Sequence, residues 1–132
     1  MEYFFTVDEA NQKIPWLEDQ LKSVISLVNN IDRIKLELND ILQNRRSNGH
    51  SDTDQEVTSR RKETGAEIDR LTNLVKEINT SGVILKDIEL GLVDFPTLCE
   101  GREVYLCWHL GEPRINFWHE TDVGFSGRQP LT

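Results

Sequence analysis

The sequence predicts an α+β fold in which a long antiparallel helical hairpin, coiled-coil-like in its pattern, precedes a small antiparallel β-sheet of two hairpins. Up to about residue 78, apolar residues recur at alternating steps of three and four, which is the period of a packed helix. From residue 82 onward the pattern changes to the alternation of a β-strand. We therefore expect one domain over 1–132, with the helical hairpin over 7–79, its turn near 45–52, and a β segment with a docked tail over 82–132.

The first helix opens with a capping-box pattern. Thr6 can accept a hydrogen bond from an early backbone N–H while Glu9 reaches back to Thr6, so we expect the helix to begin near Val7. Pro15 lies inside this helix and predicts a kink, because it lacks a backbone donor and crowds the preceding turn. The apolar seam of the helix, which only one lysine interrupts, consists of Ile14, Leu17, Leu21, Val24, Val28, Ile31, Lys35, Leu38 and Leu42.

The second helix follows a polar stretch, RRSNGHSD, that reads as the turn of the hairpin and carries a solvated His50. We predict the helix from about Thr53 or Asp54 to about Ile78. Its apolar residues concentrate in its second half, so the distal part of the first helix keeps apolar surface that its own chain does not cover. The predicted seam of the second helix is Val57, Arg61, Thr64, Ile68, Leu71, Val75 and Ile78.

An uncovered apolar seam usually marks an interface with a partner. The pattern therefore predicts self-association through the helical hairpin, with a dimer favoured and a partner protein as a further prospect. The alternative is that the C-terminal sheet folds back and covers the seam.

The β segment divides into two predicted hairpins. VILKDIELGLVDF reads as two short strands around a turn at Gly91, and Pro96 is expected to end that hairpin. After a connection from Cys99 to Arg102, strands over about 103–110 and 114–120 form the second hairpin around Gly111 to Pro113. The tail is expected to be irregular but docked through Phe125 and Leu131.

A four-residue turn in the second hairpin would place Trp108 opposite Ile115 and Val104 opposite His119. Cys107 and His109 then share one face of their strand and could chelate a divalent ion, while His119 lies on the other face. We favour no metal and no cofactor, because a closed zinc site needs about four ligands and this pattern supplies two. A divalent metal on Cys107 and His109 is the alternative.

The candidate catalytic residues centre on His119. A histidine beside a carboxylate is a general acid/base pair, and the acids in reach by sequence are Asp94, Glu120 and Asp122. The simpler interpretation, which we favour, is a core histidine whose hydrogen bonds are satisfied. Gly124 to Arg128 could wrap an anion, with Arg128 as the charged clamp. The candidate ligand-binding residues are Trp118, His119, Arg128, Glu112 and Asp87.

The charge balance narrows the classes of partner. The formal net charge is -8, and residues 1–80 and 81–132 each contribute half of it. No basic half exists, which argues against nucleic acid and against an anionic membrane surface. No apolar run approaches the roughly 20 residues that span a bilayer, and the start lacks a secretory pattern. We expect a cytoplasmic protein with both cysteines reduced.

Three segments, TVDEANQKIPWL, LKDIELGLVDFP and VYLCWHLGEPRINFWHETDVGFSGR, resemble a bacterial uncharacterised family, domain of unknown function 2203. The resemblance covers nearly the whole chain. It implies a small cytoplasmic bacterial protein with a helical hairpin and an antiparallel β segment, and it implies no activity.

These observations favour a non-enzymatic interaction or scaffold protein that self-associates through its helical hairpin and presents a small β-sheet site to a partner or a small ligand. The alternative is a hydrolase-type or metal-assisted enzyme that uses His119 with nearby carboxylates.

Overall fold

The computed structural model of the chain describes residues 3–48 and 52–131. Two helices, α1 (Val7–Asn48) and α2 (Asp52–Thr80), precede five strands. The strands are β1 (Ile84–Asp87), β2 (Leu92–Cys99), β3 (Arg102–His109), β4 (Phe117–Glu120) and β5 (Gln129–Pro130). They form one antiparallel sheet in chain order, which confirms the predicted α+β class.

The start of α1 follows its sequence signal. Glu9 N–H donates to Thr6 Oγ1 at 3.1 Å, and Thr6 N–H donates to Glu9 Oε1 at 2.9 Å, so the predicted capping box is present. The Tyr3 hydroxyl also donates to Glu9 Oε2. These bonds hold the pKa of the Glu9 carboxyl below its usual range. The helix continues through Pro15 to Asn48, so the predicted hairpin turn is shorter than 45–52, and His50 lies outside the described residues.

Contacts divide the chain into two compact units. We call residues 24–74 the hairpin unit and the described parts of 1–23 and 75–132 the sheet unit. In the hairpin unit, Val57 is buried on α2 as predicted, but the seam then departs from the prediction. Arg61 is exposed and Ile68 is 41% exposed, whereas Glu67 is buried. The prediction placed Ile68 on the buried seam. In the structure Glu67 points inward instead, where it has a hydrogen-bond partner on α1.

The sheet extends further than the sequence suggested. β2 runs through Pro96 to Cys99, so the prediction that Pro96 ends the hairpin is wrong. Proline fits here because β1 pairs with β2 only from Leu92 to Asp94, and beyond that point the Phe5 N–H donates to the Pro96 carbonyl at 2.7 Å. The connection to β3 is a two-residue turn, in which Glu100 and Gly101 both have positive φ, as in the type I′ hairpin turn.

Alternation sorts the strands into two faces. The inner face carries apolar side chains that are buried, and Phe95 on this face meets the Phe5 ring edge-on at 5.2 Å between centroids. Close by, the Ile115 N–H donates to Asn11 Oδ1 of α1 at 2.7 Å. The buried inner-face residues are Val93, Phe95, Val104, Leu106 and Trp108. The opposite side, which we call the outer face, carries Asp94, Pro96, Tyr105, Cys107 and His119.

The register between β3 and β4 differs from the predicted one by one residue. His119 lies opposite Tyr105, and Phe117 lies opposite Cys107. The predicted four-residue turn does not form, because residues 110–116 make a longer connection in which Trp108 Nε1 donates to the Glu112 carbonyl. A one-residue shift moves a side chain to the other face, so His119 shares the outer face with Cys107.

The tail is docked as predicted, but Phe125 and Leu131 are both exposed. The Arg128 guanidinium lies over the Phe125 ring at 4.7 Å from the centroid, and the Leu131 N–H donates to the Asn116 carbonyl at 2.9 Å. A short 3₁₀ turn (Phe125–Gly127) and β5 instead bring Arg128 against β3, where its Nη2 donates to the Cys107 carbonyl at 3.1 Å. Over the described part of the chain, neither helix combines the length and apolar character that crossing a membrane demands.

Candidate functional site

Three ionisable side chains meet on the outer face, one from each of three adjacent strands. Asp94 on β2, Cys107 on β3 and His119 on β4 are each 0–2% exposed, and their ligand-type atoms all lie within 4.8 Å of one another. Asp94 lies directly opposite Cys107, and His119 lies diagonally across from Cys107. We call these three residues the buried triad.

The contact between His119 and Asp94 indicates how many protons these two side chains carry. His119 Nδ1 lies 2.8 Å from the Glu120 carbonyl, which can only accept, so Nδ1 carries a proton. His119 Nε2 lies 2.9 Å from Asp94 Oδ1. If the ring is neutral with its proton on Nδ1 and the carboxyl is ionised, His119 Nε2 and Asp94 Oδ1 are both acceptors. The contact therefore requires one further proton, on the imidazole or on the carboxyl.

Burial raises the pKa of the Asp94 carboxyl above its usual range. The hydrogen bond and charge of His119, the charge of Lys86 and the Cys107 thiol oppose that rise only in part. Among the described residues, no donor meets Asp94 Oδ2 with hydrogen-bond geometry, although this atom is buried. The Cys107 thiol lies close enough to favour the carboxylate without completing such a bond.

Cys107 is chemically quiet. Burial raises the pKa of its thiol to about 11, and the neighbouring Arg128 guanidinium opposes the shift only in part. Since the thiolate is the nucleophile, a thiol that stays protonated at neutral pH does not serve as one.

A second cluster lies beside the triad and holds the tail. Arg128 Nη2 donates to Glu112 Oε1 at 2.8 Å, and its guanidinium lies over the Phe117 ring at 3.9 Å from the centroid. Glu112 Oε1 also accepts from the His109 N–H at 2.8 Å. Glu112 and Arg128 are therefore brought together, as partners of each other and not of His119.

The structure places the other predicted site residues apart from the triad. Glu120 forms a two-oxygen ion pair with Arg102 at 2.6 and 2.8 Å. Asp122 is exposed in the turn after β4, and Asp87 accepts from the Leu90 N–H in the β1–β2 turn. Trp118 lies opposite Leu106 on the inner face and is half-buried. Among the described contacts, Asp94 is the one proposed partner that meets His119 through its carboxylate, and Glu120 meets it through its backbone carbonyl.

The predicted pairing of Cys107 with His109 is not the one that forms. His109 Nδ1 is bonded to the Leu110 carbonyl at 3.0 Å, and its Nε2 lies 3.8 Å from Glu112. Cys107 instead groups with His119 and Asp94. The sequence pattern did not indicate this grouping, because the face on which His119 lies depends on the β3–β4 register. The sequence signal for this grouping was the presence of Asp94, Cys107 and His119 on neighbouring predicted strands.

An open groove lies elsewhere on the sheet unit, with a volume of about 540 Å³. Tyr105, whose ring meets the His119 ring edge-on at 5.5 Å, forms part of its wall, so this side chain contacts both the groove and the triad. The groove is lined by Tyr3, Asn79, Gly82, Val83, Ile84, Leu85, Pro96, Glu103 and Tyr105.

Comparison with known families bears on the whole chain. The model of a family described as an uncharacterized conserved protein, DUF2203, matches residues 3–131. The chain belongs to the DUF2203 family. No curated protein and no solved structure matches this chain. Membership of the DUF2203 family therefore assigns no activity to it.

Proposed function

We propose that this DUF2203 protein is a non-enzymatic interaction protein of the bacterial cytoplasm that self-associates through its hairpin unit, with a dimer as the assembled form. The observation that carries the proposal is the apolar surface of that unit, which two helices alone leave partly open. The sheet unit would then present the groove beside Tyr105 to a partner or a small ligand.

The apolar surface is spread along both helices. Leu36 is 66% exposed and Ile68 is 41% exposed. Two antiparallel helices bury one stripe of each, and four-helix bundles bury more by adding a second pair. A second copy of the hairpin unit supplies such a pair. The half-buried apolar residues that it would cover are Leu27, Val28, Leu38, Ile41, Leu42, Leu71 and Leu74.

Charge favours a second copy as the occupant. Residues 24–74 contain nine acids and eight bases, so they carry a net charge of -1, and the remainder of the chain carries -7 of the total of -8. Two hairpin units can therefore approach with little net repulsion, whereas two sheet units cannot.

Polar contacts inside the hairpin unit fix the register that an assembly would need. Asn30 donates to Glu67 at 3.2 Å, and Arg60 pairs with Glu37 at 3.3 Å. In both pairs the residue numbers add to 97, so the two contacts specify the same antiparallel alignment. Polar residues on a helical seam are a known means of setting register.

The enzyme alternative has less support. His119 is buried with Asp94 and Cys107, and a general acid/base must come within hydrogen-bond reach of a substrate.

The test compares Ile68→Glu in the hairpin unit with a matched control, Leu98→Glu, on β2. Leu98 is 54% exposed, so both changes place a charge at an open apolar position. Light scattering should give the wild type and Leu98→Glu twice the 15.3 kDa chain mass and Ile68→Glu a mass shifted towards one chain. Equal masses for the two variants would contradict assembly through the hairpin unit.

The ligand site on the sheet is tested separately. Titration of isotope-labelled protein with a library of small aromatic and polar fragments should shift the amide resonances of Val83, Ile84 and Tyr105, which line the groove. A library that leaves these resonances in place while the fold is intact counts against a ligand site there.

A further inference from the structure

We propose that the buried triad of Asp94, Cys107 and His119 is a binding site for one divalent transition-metal ion of the Zn²⁺ class, held between three adjacent strands.

The donor set fits such an ion. A thiolate, an imidazole nitrogen and a carboxylate are the ligands that Zn²⁺ takes in proteins, while Mg²⁺ and Ca²⁺ prefer oxygen alone. Each of the three side chains offers one ligand atom to the ion. Asp94 Oδ2, which is buried without a hydrogen-bond partner among the described residues, would add a second oxygen from the same carboxylate and complete a distorted four-coordinate site.

The spacing requires modest movement, because the ligand atoms lie within 4.8 Å of one another and the widest pair would close by at most about 1.2 Å to reach zinc spacing. Tetrahedral Zn²⁺ with ordinary bond lengths places its nitrogen and oxygen ligands about 3.4 Å apart. His119 Nε2 and Asp94 Oδ1 are 2.9 Å apart, so they would separate by about 0.5 Å. All three ligands lie on strands, where the backbone is held by its neighbours.

Charge balance also favours a divalent ion. Binding would form metal bonds to sulfur, nitrogen and oxygen and would release two protons, one from the Cys107 thiol and one shared by His119 and Asp94. The resulting cluster of one M²⁺, one thiolate, one carboxylate and one neutral imidazole has no net charge, which suits a buried position. No electron transfer is involved.

The neighbours of the ligands already orient them. His119 Nδ1 donates to the Glu120 carbonyl at 2.8 Å, which leaves Nε2 as the ligand atom, and metal-bound histidines commonly make such a bond. Arg128 donates to the Cys107 carbonyl and its positive charge favours the Cys107 thiolate. The site is closed to solvent, so its role would be to stabilise the sheet unit, independently of the self-association proposed above.

The experiment uses Co²⁺ as the probe, because its bond to a thiolate gives a visible charge-transfer band. The chain contains two cysteines, so the Cys99→Ser variant keeps Cys107 as the single thiol. The full-length wild type and Cys99→Ser are unfolded in chelator and refolded with Co²⁺, since a sealed site takes up metal during folding. Both should bind one Co²⁺ per chain with the thiolate band.

His109→Gln serves as a matched histidine control and should keep the band, whereas His119→Gln should weaken Co²⁺ binding by about 100-fold or more. Saturating Zn²⁺ should raise the melting temperature of Cys99→Ser by roughly 5–10 °C. If refolded Cys99→Ser shows native circular dichroism but no thiolate band, or if the band depends on His109, the proposal is overturned. Should His119→Gln fail to fold, the band of Cys99→Ser alone decides.

Discussion

His119 and Asp94 face each other with atoms that both accept hydrogen bonds unless a proton or a metal ion lies between them. In the metal-free chain the pair therefore holds one shared proton in a buried position. Removal of either partner leaves the other polar group buried and unpaired. The resulting loss of unfolding free energy is larger than the net stability that the intact pair contributes.

We predict that Asp94→Ala and His119→Ala, measured by urea unfolding in chelator, each lower the free energy of unfolding by about 3 kcal/mol. The double variant should lose less than the total of the two, with a coupling of about 1–3 kcal/mol. Asp122→Ala, a change at an exposed acid, should stay within about 0.5 kcal/mol of the wild type. Additive losses at Asp94 and His119 would show that the two side chains do not act as a pair.

The two cysteines should differ in reactivity. Cys99 is exposed, whereas Cys107 is buried with a pKa raised to about 11. At about pH 8 a thiol-reactive aromatic disulfide should label one thiol per native chain and two per unfolded chain, since the thiolate is the reacting form. Cys99→Ser should show no fast labelling until it unfolds. Fast labelling of native Cys99→Ser would contradict the burial of Cys107.

The sequence singled out His119 and offered Asp94 as one of several carboxylate partners, but it could not choose among those acids or assign Cys107 to the same group. A strand residue changes face with each one-residue shift of register, and composition does not report that shift. The favoured interpretation was a core histidine with satisfied hydrogen bonds. It agrees with the burial of His119 and with the hydrogen-bond contacts of its two ring nitrogens.

Among the elements, the helices could be predicted more closely than the turns. A capping box and a heptad period are local signals, and both ends of α1 and α2 follow them to within a few residues. The β3–β4 connection could not be predicted, because the Ile115 N–H in it donates to Asn11 Oδ1, a side chain that lies more than a hundred residues away along the chain. The inward position of Glu67 likewise depends on Asn30 of the other helix.

The turns of the sheet give a graded prediction for glycine. Gly91 and Gly101 both have positive φ, but an added Cβ at Gly91 would lie 2.7 Å from Leu110 Cβ, whereas at Gly101 it meets nothing within 4 Å. Gly101→Ala should therefore lose about 1 kcal/mol of unfolding free energy, from backbone strain alone. Gly91→Ala should lose at least about 1 kcal/mol more, because Leu110, whose N–H donates to the Gly91 carbonyl, must shift.

Gly65 provides the control, since it lies in α2 with open space around it. Gly65→Ala should raise the unfolding free energy by about 0.5–1 kcal/mol through helix propensity. Thermal or urea unfolding of the three variants gives the order Gly65→Ala above wild type, then Gly101→Ala, then Gly91→Ala. An equal loss at Gly91 and Gly101 would contradict the close approach of Leu110 to Gly91.

For the molecule as a whole, charge and apolar surface are unevenly distributed. The hairpin unit is nearly neutral and keeps open apolar positions, while the rest of the chain holds most of the negative charge. This distribution favours association through the hairpin unit and weighs against other contacts between copies. The uneven split of charge appears only with the bounds of the two units, which the structure supplies. The open positions could not be predicted either, because Leu36 and Ile68 occupy helix turns whose inward residue is set by the partner helix.

Sedimentation equilibrium of the wild-type chain over a wide range of concentrations tests self-association most directly. We predict a single mass of twice 15.3 kDa at high concentration that falls towards 15.3 kDa on dilution. Added salt should leave the midpoint nearly unchanged, since the interface is apolar and close to neutral. A mass of one chain at every concentration would contradict self-association through the hairpin unit.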